Sequence, residues 1–334
     1  MKVSDGAVFC CLDCRSELAV TIFAGGTFAD TVEEGVLTCP ACKTIYLISE
    51  GIPFLLERGY YADFDIEGFI RKWNAQFDFE EYHFFQQATS PAKMTQLVFF
   101  NADAEYDDTV AGCPFWRAAD ANILGEWMQE MPQSGIILDL GCGTGRSAIP
   151  LAQDGRHVIG TDISLGMLRN AVKKAEAAGV GDITFFLADA ENLPLRPNLF
   201  SAVLSYGLLH HVDEPATILR TARKLLIDRG TFYALENHAS TVRFLFDWLM
   251  KMHKLWDEEA GRHPVFTRKD LEHLAKVIGL DAEVKTCIFL PPHLMNLTGY
   301  AFARKALQAT DWLFSRVPIL RDFGGQVVMK ARKV

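Results

Sequence analysis

The chain has 334 residues, 49% of them hydrophobic, and a formal net charge of −9 at pH 7. This length and apolar content allow a core larger than that of one typical domain of roughly 100 to 200 residues. The acidic balance argues against a surface that neutralises many phosphates, and there is neither an apolar run long enough for a membrane span nor a start typical of a signal peptide. We therefore expect a soluble, cytoplasmic protein, with nucleic acid an unlikely partner.

The first part of the chain, residues 1–57, contains two short cysteine pairs, CLDC and CPAC, separated by β-prone stretches. Two C-x2-C pairs 24 residues apart can supply four thiolates to one tetrahedral zinc ion, the ligands being Cys11, Cys14, Cys39 and Cys42. The alternative is a set of reduced, half-buried thiols. We predict a zinc ribbon with a structural Zn²⁺. Its three basic and eight acidic side chains would repel phosphates, which favours a structural or partner-facing role.

The next segment, residues 58–132, is rich in aromatic side chains at helical spacing. Phe69, Trp73 and Phe77 recur in this way, and FWRAADANILGEWMQEM continues as an amphipathic pattern. These patterns predict a helical connector or lid.

From residue 136 onward, apolar strand patterns alternate with helical patterns. The strand patterns are GIILDLG, HVIGTDI, ITFFLAD, FSAVLSYG, GTFYALEN, AEVKTCIFL and GQVVMKAR. Alternation of this kind predicts an α/β domain over residues 133–334, built on a doubly wound seven-stranded sheet.

Two helical stretches interrupt the alternation and are not needed to complete the sheet. They give cap segments near 240–262 and 292–320. In the first, Trp248 and Trp256 belong to one helical stripe, and Phe244 and Phe246 leave apolar surface off that stripe. We expect these segments to cover the carboxyl edge of the sheet. Their surplus apolar surface fits either a pocket for a small apolar molecule or the interface of a homodimer.

A glycine loop follows the first strand of this domain. Gly141, Gly143 and Gly145 give the spacing G-x-G-x-G. The dinucleotide fingerprint is G-x-G-x-x-G, and its third glycine would fall at Arg146. The lysine of a phosphate-binding P-loop is also absent from this loop. Glycines at this spacing allow a ligand to approach the main chain closely. A charged sulfonium amino acid remains as the ligand that fits.

Acidic residues follow the ends of the neighbouring strands. Asp162 can accept hydrogen bonds from both hydroxyls of a ribose. Asp189 can accept a hydrogen bond from the amino group of adenine, and the Ala190 N–H can donate one to an adenine ring nitrogen. Asp139, at the end of the first strand, can support the ammonium end of the ligand or the loop itself.

The motifs LDLGCGTG, GTDIS, LADAENLPL and LSYGLLHHVDEP resemble those of class I S-adenosylmethionine-dependent methyltransferases, with the ubiquinone-biosynthesis-like branch as the nearest subgroup. The resemblance covers about residues 134–235. It implies that Asp139 and the 141–145 loop hold the methionine part, Asp162 the ribose and Asp189 the adenine. It also implies that the last strand is antiparallel. We include Cys142, Ile163 and Ser205 in the predicted cofactor site.

The stretch LTCPACKTIYLISEGIPFLL resembles the zinc ribbon that occurs alone as a methyltransferase activator and also fused ahead of some methyltransferases. In the predicted catalytic domain, His210, His211 and Tyr206 follow the fourth strand. His210 is the first choice for a general base, although the histidine pair also fits a structural role at the next helix.

The favoured function is methylation of a small, apolar or aromatic, lipid-like metabolite. Two alternatives remain open, an RNA methyltransferase acting on an rRNA or tRNA base and a non-catalytic partner protein that binds S-adenosylmethionine. The sequence does not identify the acceptor atom.

Overall fold

The computed structural model describes residues 1–102, 112–240, 242–252 and 265–334, without the side chains of Leu245, Phe246 and Met250. The strands are β1 (Ala19–Gly25), β2 (Val32–Thr38), β3 (Thr44–Ser49), β4 (Ile52–Pro53), β5 (His83–Phe84), β6 (Ile136–Leu140), β7 (His157–Asp162), β8 (Ile183–Leu187), β9 (Phe200–Tyr206), β10 (Leu226–Asn237), β11 (Leu280–Cys287) and β12 (Gln326–Lys333). The helices are α1 (Ile66–Trp73), α2 (Pro91–Ala102), α3 (Pro114–Glu130), α4 (Ala148–Gln153), α5 (Leu165–Ala177), α6 (Pro215–Leu225), α7 (Arg243–Met252), α8 (Arg268–Ile278), α9 (Pro292–Met295) and α10 (Tyr300–Phe314).

The larger sheet has seven strands in the order β11-β12-β10-β9-β6-β7-β8. The strand β12 runs antiparallel to both of its neighbours, whereas β9 and β10 are parallel, as are β6, β7 and β8. Each of the seven strand patterns in the sequence forms one strand of this sheet. The predicted α/β class, the seven strands and the antiparallel last strand are therefore confirmed.

The chain divides into two compact units. The first consists of Met1–Ala104 and Ile136–Leu199, and the second of Glu105–Gly135 and Phe200–Val334.

The first unit contains a small N-terminal sheet in the order β1-β2-β3-β4, with β5 paired in parallel to β3. Every residue of β3 is buried, as expected for a central strand with the apolar sequence TIYLIS. After β4, Phe54 forms a parallel bridge with Leu187 of β8, and the Leu55 N–H donates to the Leu187 carbonyl at 2.9 Å. The N-terminal segment therefore covers an edge of β8 that would otherwise expose unpaired backbone groups.

The aromatic segment after residue 58 packs partly onto this small sheet. The carboxylate of Asp65 caps α1 by accepting from the Gly68 N–H at 2.8 Å. On β1, the ring of Phe23 stacks on Trp73 at 5.0 Å between centroids and contacts Phe77 at 5.8 Å. The segment is thus helical in α1, α2 and α3, but its strand β5 belongs to the N-terminal sheet.

In the second unit, α3 and α10 pack side by side, with Ala303 and Leu307 of α10 fully buried. The interrupting segments form α7, α9 and α10, in agreement with their helical patterns. Residues 253–264, which include Trp256 and the end of the first cap segment, lie outside the described residues. Among the described helices, none has the length and apolar character needed to cross a membrane.

Candidate functional site

The glycine loop after β6 adopts backbone conformations that favour glycine. The φ angles of Gly141, Gly143 and Gly145 are +66°, +53° and +89°. A Cβ at Gly145 would lie 2.6 Å from the Ile149 Cδ1 atom, so the start of α4 leaves no room for a side chain there. The sequence therefore folds into a tight turn whose main chain can be approached closely.

Asp162, the last residue of β7, is tied to this loop. Its Oδ2 atom accepts from the Gly143 N–H at 3.0 Å, and its Oδ1 atom accepts from the Ser164 N–H at 2.9 Å. The parallel register places Leu140 of β6 opposite Thr161, so the two strands end at the same level. Asp162 is half-buried, and a carboxylate can accept several hydrogen bonds.

Asp139 occupies a different environment from Asp162. It is fully buried, and its Oδ2 atom accepts from the Ser147 hydroxyl at 2.5 Å. Ser147 immediately precedes α4, so this hydrogen bond joins the end of β6 to the helix that follows the loop. Of the two roles predicted for Asp139, this contact supports the loop-stabilising one.

Asp189 lies after β8 and forms an ion pair that the sequence did not indicate. The Lys93 Nζ atom lies 2.5 Å from Asp189 Oδ2 and 2.6 Å from Glu191 Oε2, and all three side chains are at most 16% exposed. Burial disfavours the ammonium, but the two carboxylates outweigh it and raise the pKa of Lys93. Asp189 Oδ1 also accepts from the Glu191 N–H at 3.0 Å.

The helix that carries Lys93, α2, also contacts the turn after β7. The Ser164 hydroxyl donates to Asn101 Oδ1 at 2.6 Å, and Gly166 allows close approach, since a Cβ there would lie 3.3 Å from the same oxygen. Helix α2 is thus bound near its two ends to the turns after β7 and β8. The spacing of the aromatic residues did not predict this role, because Lys93 and Asn101 act through polar contacts with residues distant in the sequence.

The first unit therefore brings most of the predicted donor residues to one edge. The half-buried positions that end or follow β6, β7 and β8 are Gly141, Gly143, Asp162, Ile163, Asp189 and Ala190, and Cys142 is buried beneath them. Carboxylates, accessible main-chain groups of the glycines and apolar side chains lie together in this arrangement. They fit a ligand that combines a ribose, an adenine and a charged amino acid. The donor set is thus compatible with S-adenosylmethionine.

In the second unit, His210 pairs with Glu236, which no sequence motif indicated. The His210 Nδ1 atom lies 2.6 Å from Glu236 Oε2, and Glu236 Oε1 accepts from the Leu209 N–H at 2.6 Å. The Glu236 side chain is fully buried and that of His210 is 12% exposed. In the neutral ring that donates Nδ1–H to this carboxylate, Nε2 carries the basic lone pair.

The other predicted residues of this unit are Tyr206, His211 and Ser205. The Tyr206 hydroxyl donates to Asp120 Oδ1 on α3 at 2.6 Å, and the His211 ring lies 4.1 Å from that of His210 between centroids. Ser205 is fully buried in β9. His210 is therefore the predicted catalytic residue whose surroundings most resemble those of a general base.

The four predicted metal ligands converge in the first unit. The sulfur atoms of Cys11, Cys14, Cys39 and Cys42 all lie within 4.8 Å of one another. The sulfurs of Cys11 and Cys42 are 3.5 Å apart, and those of Cys14 and Cys39 are 3.4 Å apart. Four thiolates around one zinc at 2.3 Å would be separated by about 3.8 Å. The cluster therefore fits a tetrahedral zinc site.

The two cysteine pairs also have matching backbone turns. The Arg15 N–H donates to the Cys11 carbonyl at 3.0 Å, and the Lys43 N–H donates to the Cys39 carbonyl at 2.9 Å. Arg15 and Lys43 each follow the second cysteine of their pair, with φ angles of +62° and +63°. Each turn thus directs two sulfurs toward the other pair.

Comparison with known proteins adds a family match. Residues 138–234 match the family described as "Methyltransferase domain". A demethylmenaquinone methyltransferase from Clavibacter sepedonicus is 33% identical over 142 residues, 39% of this chain and 55% of that protein. The 23S rRNA (uracil(1939)-C(5))-methyltransferase RlmD of Hahella chejuensis is 42% identical over 73 residues, 22% of this chain and 16% of that protein. The chain thus spans little more than half of the first relative and less of the second.

The fold is also found in solved structures. A S-adenosylmethionine-dependent methyltransferase from Thermotoga maritima, described as a possible histamine N-methyltransferase, superposes with a TM-score of 0.51 at 19% identity. The match covers 72% of this chain and 100% of that one. This likeness shows the fold alone. The family match therefore indicates a methyltransferase domain over residues 138–234, and the solved structure shows the same fold.

Proposed function

We propose that the protein transfers a methyl group from S-adenosylmethionine to a small, apolar or aromatic, lipid-like acceptor. The observation that carries this proposal is the hydrogen bond from the Gly143 N–H to the Asp162 carboxylate. It joins the two elements that the family resemblance assigns to the methionine and ribose parts of the donor. The matched family segment includes both residues.

In this proposal the first unit binds the donor. Asp162 accepts the ribose hydroxyls, Asp189 and the Ala190 amide hold the adenine, and the 141–145 loop holds the methionine part, supported by Asp139. Cys142, Ile163 and Ser205 remain proposed neighbours of the donor. Lys93 adds a positive charge beside Asp189, so the adenine amine would share that carboxylate with an ammonium. S-adenosylmethionine supplies an electrophilic sulfonium methyl group when it is bound.

The second unit supplies the proposed base. His210 Nε2 accepts the proton of an acceptor hydroxyl or amine as the acceptor atom bonds to the methyl carbon. The carbon–sulfur bond breaks in the same step, and its electron pair stays on sulfur. Glu236 stabilises the imidazolium that results and fixes the ring orientation. Alignment of the nucleophile supplies much of the remaining rate, up to about 7 to 11 kcal/mol in well-oriented systems.

The proposed acceptor class rests on apolar surface in the cap segments and on the relatives. On α7, Phe244, Trp248 and Met252 are 72%, 53% and 54% exposed and lie four residues apart, on one stripe. The matched Clavibacter protein is named for a quinone-type acceptor. Tyr206 and His210 are the polar groups proposed to orient such an acceptor.

An RNA acceptor is the second candidate, favoured by the similarity to the 23S rRNA methyltransferase. It would require a basic rim. Near α8, however, Arg268 is neutralised by Asp322 at 2.9 Å and by Glu272 at 3.2 Å. Arg268 therefore adds little free positive charge to such a rim, and the small-molecule acceptor stays the first candidate.

For the domain organisation, we propose a zinc ribbon over residues 1–57, a connector or lid over 58–132 and the methyltransferase domain over 133–334. The pairing of Phe54 with Leu187 supports a ribbon that stabilises the edge of β8. We propose zinc as its resident metal.

The acceptor class is tested by incubating the protein with methyl-labelled S-adenosylmethionine and a cell extract separated into RNA, protein, lipid and small-molecule fractions. We expect label in the lipid or small-molecule fraction, and none with His210→Ala. Label in the RNA fraction would contradict a small-molecule acceptor and favour an RNA acceptor instead. Donor binding without label in any fraction would favour a non-catalytic binding protein.

A further inference from the structure

Helix α10 in the second unit has two faces of different character. Ala303 and Leu307 on its inner face are fully buried. On the outer face, the apolar side chains of Phe302, Trp312 and Leu313 are 62%, 61% and 49% exposed. At 3.6 residues per turn, these three residues lie within an arc of about 100° around the helix axis. This outer face is called the α10 face below.

Basic residues share the α10 face with the apolar ones. Lys305 falls within the same arc, Arg316 follows the end of the helix, and Arg304 lies about 80° outside the arc; all three are exposed. The guanidinium of Arg316 lies 4.8 Å from the centre of the Trp312 ring. Among the described residues, none of these three cations forms an ion pair with a carboxylate, whereas Lys285, Lys330 and Arg268 of the same unit all do.

The segment that carries the α10 face contains one acidic residue. Asp311 is the only acidic residue between positions 291 and 320, in a chain with a net charge of −9. Its Oδ1 atom accepts from the Ile288 N–H at 2.8 Å, and burial raises the pKa of its carboxyl group to about 7. The exposed ionic groups of this segment are therefore all cationic.

The apolar surface continues beyond both ends of the helix. Leu297 precedes α10 and is 85% exposed, and Ile319 follows it and is 79% exposed. A face with Trp, Phe and Leu at its centre and Lys and Arg among them is typical of helices that lie in the plane of a membrane interface. Long basic side chains can reach lipid phosphates while the aromatic rings enter the acyl boundary.

We propose that the α10 face binds the surface of an anionic lipid bilayer, so that the protein associates peripherally with membranes. The charge decides between this occupant and a second copy of the chain. Two α10 faces packed on each other would bring the Lys305 and Arg316 cations of both copies together without an exposed carboxylate from the helix itself, whereas anionic lipid head groups neutralise them. The inference does not depend on the identity of the methyl acceptor.

The test is co-sedimentation of the full chain with vesicles of phosphatidylcholine, with or without about 30% phosphatidylglycerol. The wild type should pellet with the anionic vesicles only, and salt should weaken the association. The triple variant Arg304→Gln, Lys305→Gln, Arg316→Gln should lose about fivefold in affinity per charge removed. Phe302→Ser with Trp312→Ser should lose at least about tenfold.

Matched controls lie on other helices of the same unit. Lys224→Gln, Lys269→Gln, Lys276→Gln removes three exposed cations away from the α10 face, and Val277→Ser removes an apolar side chain that is 70% exposed. Both controls should pellet like the wild type, and circular dichroism should show all variants folded. Failure of the wild type to pellet, or equal loss in the controls, would overturn the proposal. So would a wild-type dimer that Trp312→Ser converts to a monomer, because the face would then join two copies.

Discussion

The N–H group of Gly143 donates a hydrogen bond of 3.0 Å to the carboxylate of Asp162. Gly143 has a φ angle of +53°, and this left-handed conformation turns its N–H toward the end of β7. The glycine loop and the strand-end carboxylate are therefore one structural element, in which a change of either residue displaces the other.

Gly143→Ala should weaken the binding of S-adenosylmethionine. A Cβ in the left-handed region costs about 1 to 2 kcal/mol, and relief of that strain would move the N–H away from Asp162. Gly179→Ala is the control, because Gly179 has a φ of +68° and open space around its missing Cβ. Thermal melting should show a similar loss of stability in both variants, while calorimetry should show weaker donor binding in Gly143→Ala alone. Equal donor affinity in the two variants would argue against the loop as part of the donor site.

Glu236→Gln should lower kcat by about 100-fold or more, in the range of general-base contributions, and leave donor affinity unchanged. The amide cannot accept from both His210 Nδ1 and the Leu209 N–H as the carboxylate does. In a double variant with His210→Ala, the Glu236→Gln substitution should add little to the loss of kcat, because the two residues act as a unit. His273→Gln, at an exposed histidine on α8, is the control. A fully additive double variant would contradict the pairing as the basis of catalysis.

Protein purified without added metal should contain about one equivalent of zinc per chain, held by the four converging thiolates. The double variant Cys11→Ser, Cys39→Ser removes one ligand from each pair and should lose the metal and melt at a lower temperature. Cys113→Ser leaves the cluster intact and should retain the metal. Elemental analysis checks both, and zinc retained by the double variant would contradict the four-thiolate site.

The stabilising effect of His157 should decrease as the pH rises. Its Nε2 atom lies 3.0 Å from the buried Asp5, and this hydrogen bond, with the charges of Asp5 and Asp182, raises the pKa of His157 against burial and Lys2. A folded-state pKa above the unfolded value gives stability that is complete below about pH 6.5 and is lost as the pH rises through the folded pKa. The difference in Tm between wild type and His157→Gln should therefore be larger at about pH 6 than at about pH 9. The same difference at both values would contradict this assignment.

Strand positions and the glycine loop could be read from the sequence because their signals are local. The alternation of apolar strands with helices fixed the seven strands of the larger sheet, and the two C-x2-C spacings identified the four cysteines that converge. The two-residue strand β5 was missed because so short a segment carries no periodic signal.

Long-range polar contacts could not be predicted in this way. Lys93 reaches Asp189 across 96 residues of chain, and neither position indicates the other. The sequence could have indicated Glu236, because this residue lies near the end of a buried strand, as Asp139 and Asp162 do. Its partner His210 was selected, but the pairing depends on how β9 and β10 align, which residue patterns do not specify.

The central claim is that this chain binds S-adenosylmethionine through the Asp162 carboxylate at the end of β7. It is tested most directly by titrating wild type and Asp162→Ala with the donor in a calorimeter. The wild type should bind one donor per chain. Asp162→Ala should lose about 1.5 to 3 kcal/mol for each charge-assisted hydrogen bond to the ribose, while Asp228→Ala, at an exposed carboxylate, should bind like the wild type. Donor affinity unchanged in folded Asp162→Ala, or no binding by the wild type, would contradict the claim.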